Sequence, residues 1–206
     1  NFSELKSKKR FIISNYMIMM AGLFRNHIDK LVIGSFLGFS LLGNFALAAQ
    51  IYTVFMIIPN IVIRFLLPDD SRGIQNPNLK KITILFSILI SIFGIFISPY
   101  IISLLLPKYI DAITLIQIMS LGIPSSTLGL ILSSKLLGTE KSTHVLIGRW
   151  ISALIMIGGI FLLGSVYGTV GIAISFVLSN TLFAFYLTIN LLRFNKSNNT
   201  PNGLQT

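Results

Sequence analysis

About 20 apolar residues are needed to cross roughly 30 Å of hydrocarbon. Six stretches of the chain meet that length: segments A (11–39), B (44–67), C (82–106), D (110–133), E (142–164) and F (167–192). The breaks between them, at 40–43, 68–81, 107–109, 138–141 and 164–168, carry the glycine, proline and polar residues of turns. The pattern predicts an all-α fold, a polytopic membrane bundle of about six transmembrane helices. A basic linker at 1–10 precedes it, and a polar tail at 193–206, expected to be disordered, follows it.

Segment A departs from a plain apolar span. It reads FIISNYMIMMAGLFRNHIDKLVIGSFLGF and places Arg25, Asn26, His27, Asp29 and Lys30 close together. A charge at the centre of a membrane helix costs about 2.5–3.5 kcal/mol, so such residues pair or face water. At about 100° per residue, Ser14, Asn15, Gly22, Arg25, Asn26 and Asp29 share an arc of roughly 120°. One face of A is therefore wet. Arg25 and Asp29 stand i, i+4 and are spaced to pair. A rise of about 1.5 Å per residue puts Arg25 roughly 21 Å into the span and Asp29 roughly 27 Å. His27 lies off the arc and Lys30 at its margin, and both are expected at the outer interface, where long basic chains snorkel.

Other spans repeat the polar theme. Gln50, Thr53, Asn60 and Arg64 of B share an arc of roughly 80°, with Arg64 near the end of the span. On D, Gln117, Ser120 and Thr127 share a face with Pro124, and Arg149 of E and Asn180 of F are further intramembrane candidates. Pro59, Pro99 and Pro124 each remove a backbone hydrogen bond inside a span, which a membrane tolerates where neighbours satisfy the freed carbonyl. Bent helices B and D are expected to shape a cavity. The small pairs Gly34/Gly38, Ala46/Ala49 and Ser175/Ser179 suit close helix packing.

Composition sharpens this picture. The chain is 53% hydrophobic and 11% charged, against roughly 25% charged in an average soluble domain. It contains no cysteine and two histidines, which excludes disulfides and thiolate metal sites. No cofactor is expected. The net charge of +10 is spread in small groups between apolar segments rather than along one stripe, so nucleic acid is not the expected partner. The basic groups at 6–10, 72–81, 135–141 and 193–196 fall on one side and Lys108 alone on the other. The side rich in Lys and Arg is the cytoplasmic one, so both termini of this chain are expected there. The chain starts Asn-Phe-Ser without a leader, which reads as a piece of a larger protein.

A cavity lined by Arg25, Arg64 and Lys30, with Asp29 the nearby acid, would attract an anion. Phosphate or diphosphate suits arginine, whose planar fork bonds two oxygens at once. No Walker A sequence, paired intramembrane carboxylates or nucleophile elbow is present, so a transporter is expected rather than an enzyme. A gradient, a partner or the substrate's own concentration difference must then supply the energy.

The stretches DKLVIGSFLGFSLLGNFALAAQIY, IPNIVIRFLLPDDS, LLPKYIDAITLIQIMSLGIP, LGTEKS and YGTVGIAISFVLSN run in order along nearly the whole chain. They resemble the second half of a Wzx-type polysaccharide flippase, of the superfamily that also holds lipid II flippases and MATE exporters. The resemblance implies one six-helix lobe of a two-lobe transporter, with a partner lobe missing on the N-terminal side. It implies transfer of an undecaprenyl-diphosphate-linked oligosaccharide across the bacterial cytoplasmic membrane, in contact with membrane lipids, with a proton or sodium as conceivable coupling ion. On it, Asp29 matches the acid that commonly precedes the IG..LG stretch, and Arg25 lies on the cavity wall. Together with Asn26 of the same arc, and with Gln50, Asn60 and Arg64, which rest on helical geometry alone, Arg25 and Asp29 are the expected substrate-contacting residues. A MATE-like ion-coupled exporter and a membrane-embedded glycan polymerase or transferase remain as alternatives.

Overall fold

The computed structural model describes residues 13, 16–17, 19–20, 29–74 and 76–198. Ser14, Asn15, Gly22, Arg25, Asn26 and His27 of segment A, the linker at 1–10 and the end of the tail lie outside the described residues. Every regular element among the described residues is helical: α1 (Phe39–Phe55), α2 (Ile57–Ser71), α3 (Pro77–Leu105), α4 (Ala112–Leu121), α5 (Ile123–Gly138), α6 (Ser142–Gly159) and α7 (Ser165–Asn198). Two π-helical turns, Ile33–Leu37 and Ile160–Gly164, and a 3₁₀ turn, Pro107–Tyr109, complete the set.

Prolines and glycines decide where these helices break. Segment B starts earlier than its pattern predicts, because the turn before it falls at Gly38. There φ is 96°, a region that a side chain disfavours. The span then bends by 47° between α1 and α2. Met56, at the joint, lies three residues before Pro59, whose missing N–H removes the bond to the Phe55 carbonyl. Segment D bends by 44° between α4 and α5 at Gly122, two residues before Pro124.

Two carbonyls freed by prolines find partners on other helices. Pro124 leaves the Ser120 carbonyl without its helical donor, and the Ser91 hydroxyl of α3 donates to it at 2.7 Å. Pro99 leaves the Ile95 carbonyl in the same position, and the Gln117 amide of α4 donates to it at 3.0 Å. α3 therefore runs unbroken through Pro99. Gln117 and Ser120, which share a face of segment D with Pro124, turn toward α3. An arc of polar residues on one helix does not distinguish a cavity from a polar neighbour, and here the neighbour's proline creates the demand.

Two helical stretches, Pro77–Leu105 and Ser142–Phe194, are long and apolar enough to cross a membrane. The bent pairs α1–α2 and α4–α5 raise the number to four if each pair is one span. The 53 residues of the second stretch would measure about 80 Å as one straight helix. They double back instead. Gly168, at φ 56° and ψ −126°, interrupts the helix, and the Ser152 hydroxyl then donates to the Ser179 carbonyl at 3.0 Å. Small residues allow that approach: a Cβ at Gly159 would meet the Ser175 hydroxyl at 2.5 Å, and one at Gly148 the Phe183 ring at 3.0 Å. A Cβ at Gly171 would fall on the Leu163 carbonyl. Gly171→Ala should therefore destabilise the protein by about 1–3 kcal/mol, as overpacking does. A lowered thermal midpoint in nanodiscs checks this, and an unchanged midpoint would contradict the close approach.

Burial follows the logic of a membrane rather than of water. α3 buries Thr83, Ser87, Ser91, Gly94 and Ser98 and exposes Leu85, Phe86, Leu89, Phe93, Phe96 and Leu104. Small and weakly polar residues pack inward while large apolar ones face outward, as lipid requires. The larger apolar cluster, around Phe45, Leu115, Ile116, Met119 and Ile172, joins α1, α4 and α7.

One end of the bundle is basic. Asp70, at the end of α2, receives the Lys80 ammonium at 2.6 Å and the Ser134 hydroxyl at 2.8 Å, joining α2, α3 and α5. The Phe194 ring lies beneath the Lys141 ammonium at 3.6 Å and edge-on to His144. The chain stays helical through Asn198, past the start of the expected disordered tail. Arg72, Lys80, Lys81, Lys135, Lys141 and Arg193 belong to the helix ends that meet here. Lys108 sits at the other end, in the 3₁₀ turn whose Tyr109 ring faces Gly43 of α1.

Candidate functional site

A cavity of about 520 Å³ opens where α1, α2, α5, α6 and α7 converge with the helical turn at residues 29–32. Its polar lining is Asp29, Lys30, Gln50, Tyr52, Thr53, Asn60, Ser126, Arg149 and Asn180. Leu130, Met156, Phe176 and Phe183 supply much of the apolar remainder.

The two bends build this space. Met56, the joint of α1 and α2, lines the cavity, and the bend turns Gln50 and Thr53 on one side and Asn60 on the other toward it. Gln50 is exposed. Thr53 returns its hydroxyl proton to the Ala49 carbonyl at 2.8 Å, and the Asn60 amide donates to the Met56 carbonyl at 2.7 Å. That bond to the joint fixes the Asn60 side chain and uses one of its two N–H groups on the helix, leaving the other and the carbonyl oxygen for further bonds. Asn180 of α7 does the same with the Phe176 carbonyl at 3.0 Å.

Charge enters from two sides. Asp29 is 8% exposed and accepts the Lys30 backbone N–H at 2.7 Å. Lys30 itself is exposed and lines the cavity. Across from them, the Arg149 guanidinium lies 4.5 Å from the centre of the Phe183 ring. A ring under the guanidinium is favourable and sets the plane of the fork. Among the described lining residues there are thus two cations and one acid. A cavity with that balance and with hydroxyls and amides on its walls suits a polar anionic group.

The expected residues divide clearly. Asp29, Gln50 and Asn60 come together in the cavity. Arg64 does not: it is exposed on α2, outside the lining, in keeping with its place near the end of the span. Arg25 and Asn26 lie outside the described residues. Thr127, on the same face of segment D as Gln117 and Ser120, is fully buried and also outside the lining. Segment D contributes Ser126 and Leu130 in its place. Tyr52 and Ser126 were not singled out by polarity, since neither stands out within an apolar span. Their proximity to Pro59 and Pro124 was the available signal.

Among the described residues no group of three or more His, Cys, Asp or Glu side chains is placed to hold a metal ion. No protein-family model, curated protein or solved structure matches the chain.

Proposed function

We propose that the chain is the C-terminal lobe of a flippase that moves undecaprenyl-diphosphate-linked oligosaccharide repeat units across the bacterial cytoplasmic membrane. The observation that carries this reading is a polar cavity, net-cationic among its described lining residues, inside a bundle whose outer surface is apolar. A bilayer substrate with an anionic, hydroxyl-rich head and an apolar tail needs both.

On this reading the lobe has six spans, with segment A as the first and the doubled-back stretch as the last two. The basic end faces the cytoplasm, following the inside excess of Lys and Arg. The diphosphate lies against Arg149 and Lys30, with Arg25 as a third cation from the first span, since a guanidinium fork matches phosphate oxygens. The sugar runs along Gln50, Thr53 and Asn60 while the lipid tail stays in the bilayer. A second lobe closes the other side, and rocking of the two lobes exposes the site to each face of the membrane in turn. A proton or sodium gradient, or the substrate's own gradient, drives the cycle.

Replacing Arg25 by alanine in the intact protein should abolish surface polysaccharide in a complementation assay while membrane insertion persists. Wild-type polysaccharide levels in that variant would remove the assignment. A second reading, a MATE-like exporter of organic cations, is favoured by one observation: the acid Asp29 is buried in the cavity lining. Cation export that depends on Asp29 would select it.

A further inference from the structure

The two bent spans are joined at their bends. The Tyr52 hydroxyl of α1 donates to the Ser126 hydroxyl of α5 at 2.6 Å, across 74 residues of sequence. Tyr52 lies four residues before Met56, the joint of α1 and α2, and its carbonyl accepts the Met56 N–H at 3.0 Å. Ser126 lies four residues after Gly122, the joint of α4 and α5, and its N–H donates to the Gly122 carbonyl at 2.9 Å. Each partner is thus bonded through its own backbone to the hinge of its own helix, and both line the cavity.

Further contacts hold this pair in place. The Phe176 ring of α7 meets the Tyr52 ring edge-on, with centroids 4.8 Å apart. The Thr181 hydroxyl of α7 donates to the Ser125 hydroxyl at 3.2 Å, beside Ser126. The first turn of α5 is therefore held by α1 on one side and by α7 on the other. A bond between two hydroxyls can be exchanged for bonds to water without leaving a polar atom unsatisfied. It is strong enough to set a resting geometry and weak enough to be broken by thermal motion.

We propose that the Tyr52–Ser126 hydrogen bond is a latch that couples the two proline bends and holds the cavity in its narrow form. Its release lets the α1–α2 and α4–α5 walls part together. The latch stands on this geometry and not on the identity of the cargo, so its failure would leave the flippase reading untouched.

The test uses the full-length protein in membrane vesicles, cleared of other cysteines, with Met56→Cys as reporter. Met56 is 6% exposed and sits at the first joint, so parting of the walls uncovers it. The measured quantity is the rate of modification by a small polar thiol reagent. Tyr52→Phe and Ser126→Ala should each raise that rate about 2- to 12-fold, the Boltzmann factor of one net hydrogen bond. The double variant should be no faster than either single one, and Ser126→Thr, which keeps the hydroxyl, should match the parent. An unchanged rate in either single variant, or multiplied effects in the double, would overturn the latch. So would a rise that tracks a fallen thermal midpoint, which reports general loosening.

Discussion

Asp70→Ala should lower the thermal midpoint of the protein by about 6–12 °C, from a loss of about 3 kcal/mol. The Asp70 side chain is 4% exposed and holds the Lys80 ammonium on one oxygen and the Ser134 hydroxyl on the other. Removing it strands a cation and a buried hydroxyl at the junction of α2, α3 and α5. The loss sits at the low end of the range for breaking a buried pair, because Lys80 is 18% exposed and keeps some contact with water. The hole cannot close easily, since Gly138 packs against the Asp70 backbone. Asp70→Asn combined with Lys80→Gln should recover part of the loss, because an amide pair restores hydrogen bonds without the stranded charge. A midpoint within a degree or two of the parent in Asp70→Ala would show that the pair holds nothing together.

Arg149→Ala should reduce binding of a diphosphate headgroup by about ten- to a hundredfold, the worth of one hydrogen bond to a charged group. Arg149→Lys should retain only part of the affinity, since it keeps the charge and loses the fork. The phenylalanine beneath the guanidinium bears on the same result: Phe183→Leu frees the plane of the fork and should weaken binding by a smaller factor than Arg149→Ala. Titration of the purified full-length protein with a fluorescent polyprenyl diphosphate reads all three. Equal affinities for the parent and Arg149→Ala would place the headgroup elsewhere.

The sequence was informative about where this fold bends and less so about which way its polar faces look. Pro59 and Pro124 announced the two bends that shape the cavity, because a missing N–H has a local consequence that does not depend on neighbours. Gln50, Asn60 and Asp29 were legible for a similar reason: polar side chains far inside an apolar span need water or a partner. Gln117 shows the limit. Its partner is the carbonyl freed by Pro99, 22 residues away on α3, and nothing in its own helix indicates that pairing. Lys30 shows another limit: its place at the margin of the polar arc did not reveal that it lines the same cavity as residues of α1, α6 and α7. Tyr52 and Ser126 are ordinary residues for a membrane helix, and only the crossing of α1 and α5 brings them together.

Carriage of an anionic, sugar-bearing lipid headgroup through the membrane by this cavity is tested most directly by translocation of a fluorescent undecaprenyl-diphosphate oligosaccharide by the full-length protein in proteoliposomes, read as loss of accessibility to an external quencher. The parent should translocate it, and an Arg149→Ala, Lys30→Ala double variant that still inserts and folds should not. No translocation by the parent, together with Asp29-dependent export of an organic cation from the same vesicles, would contradict it.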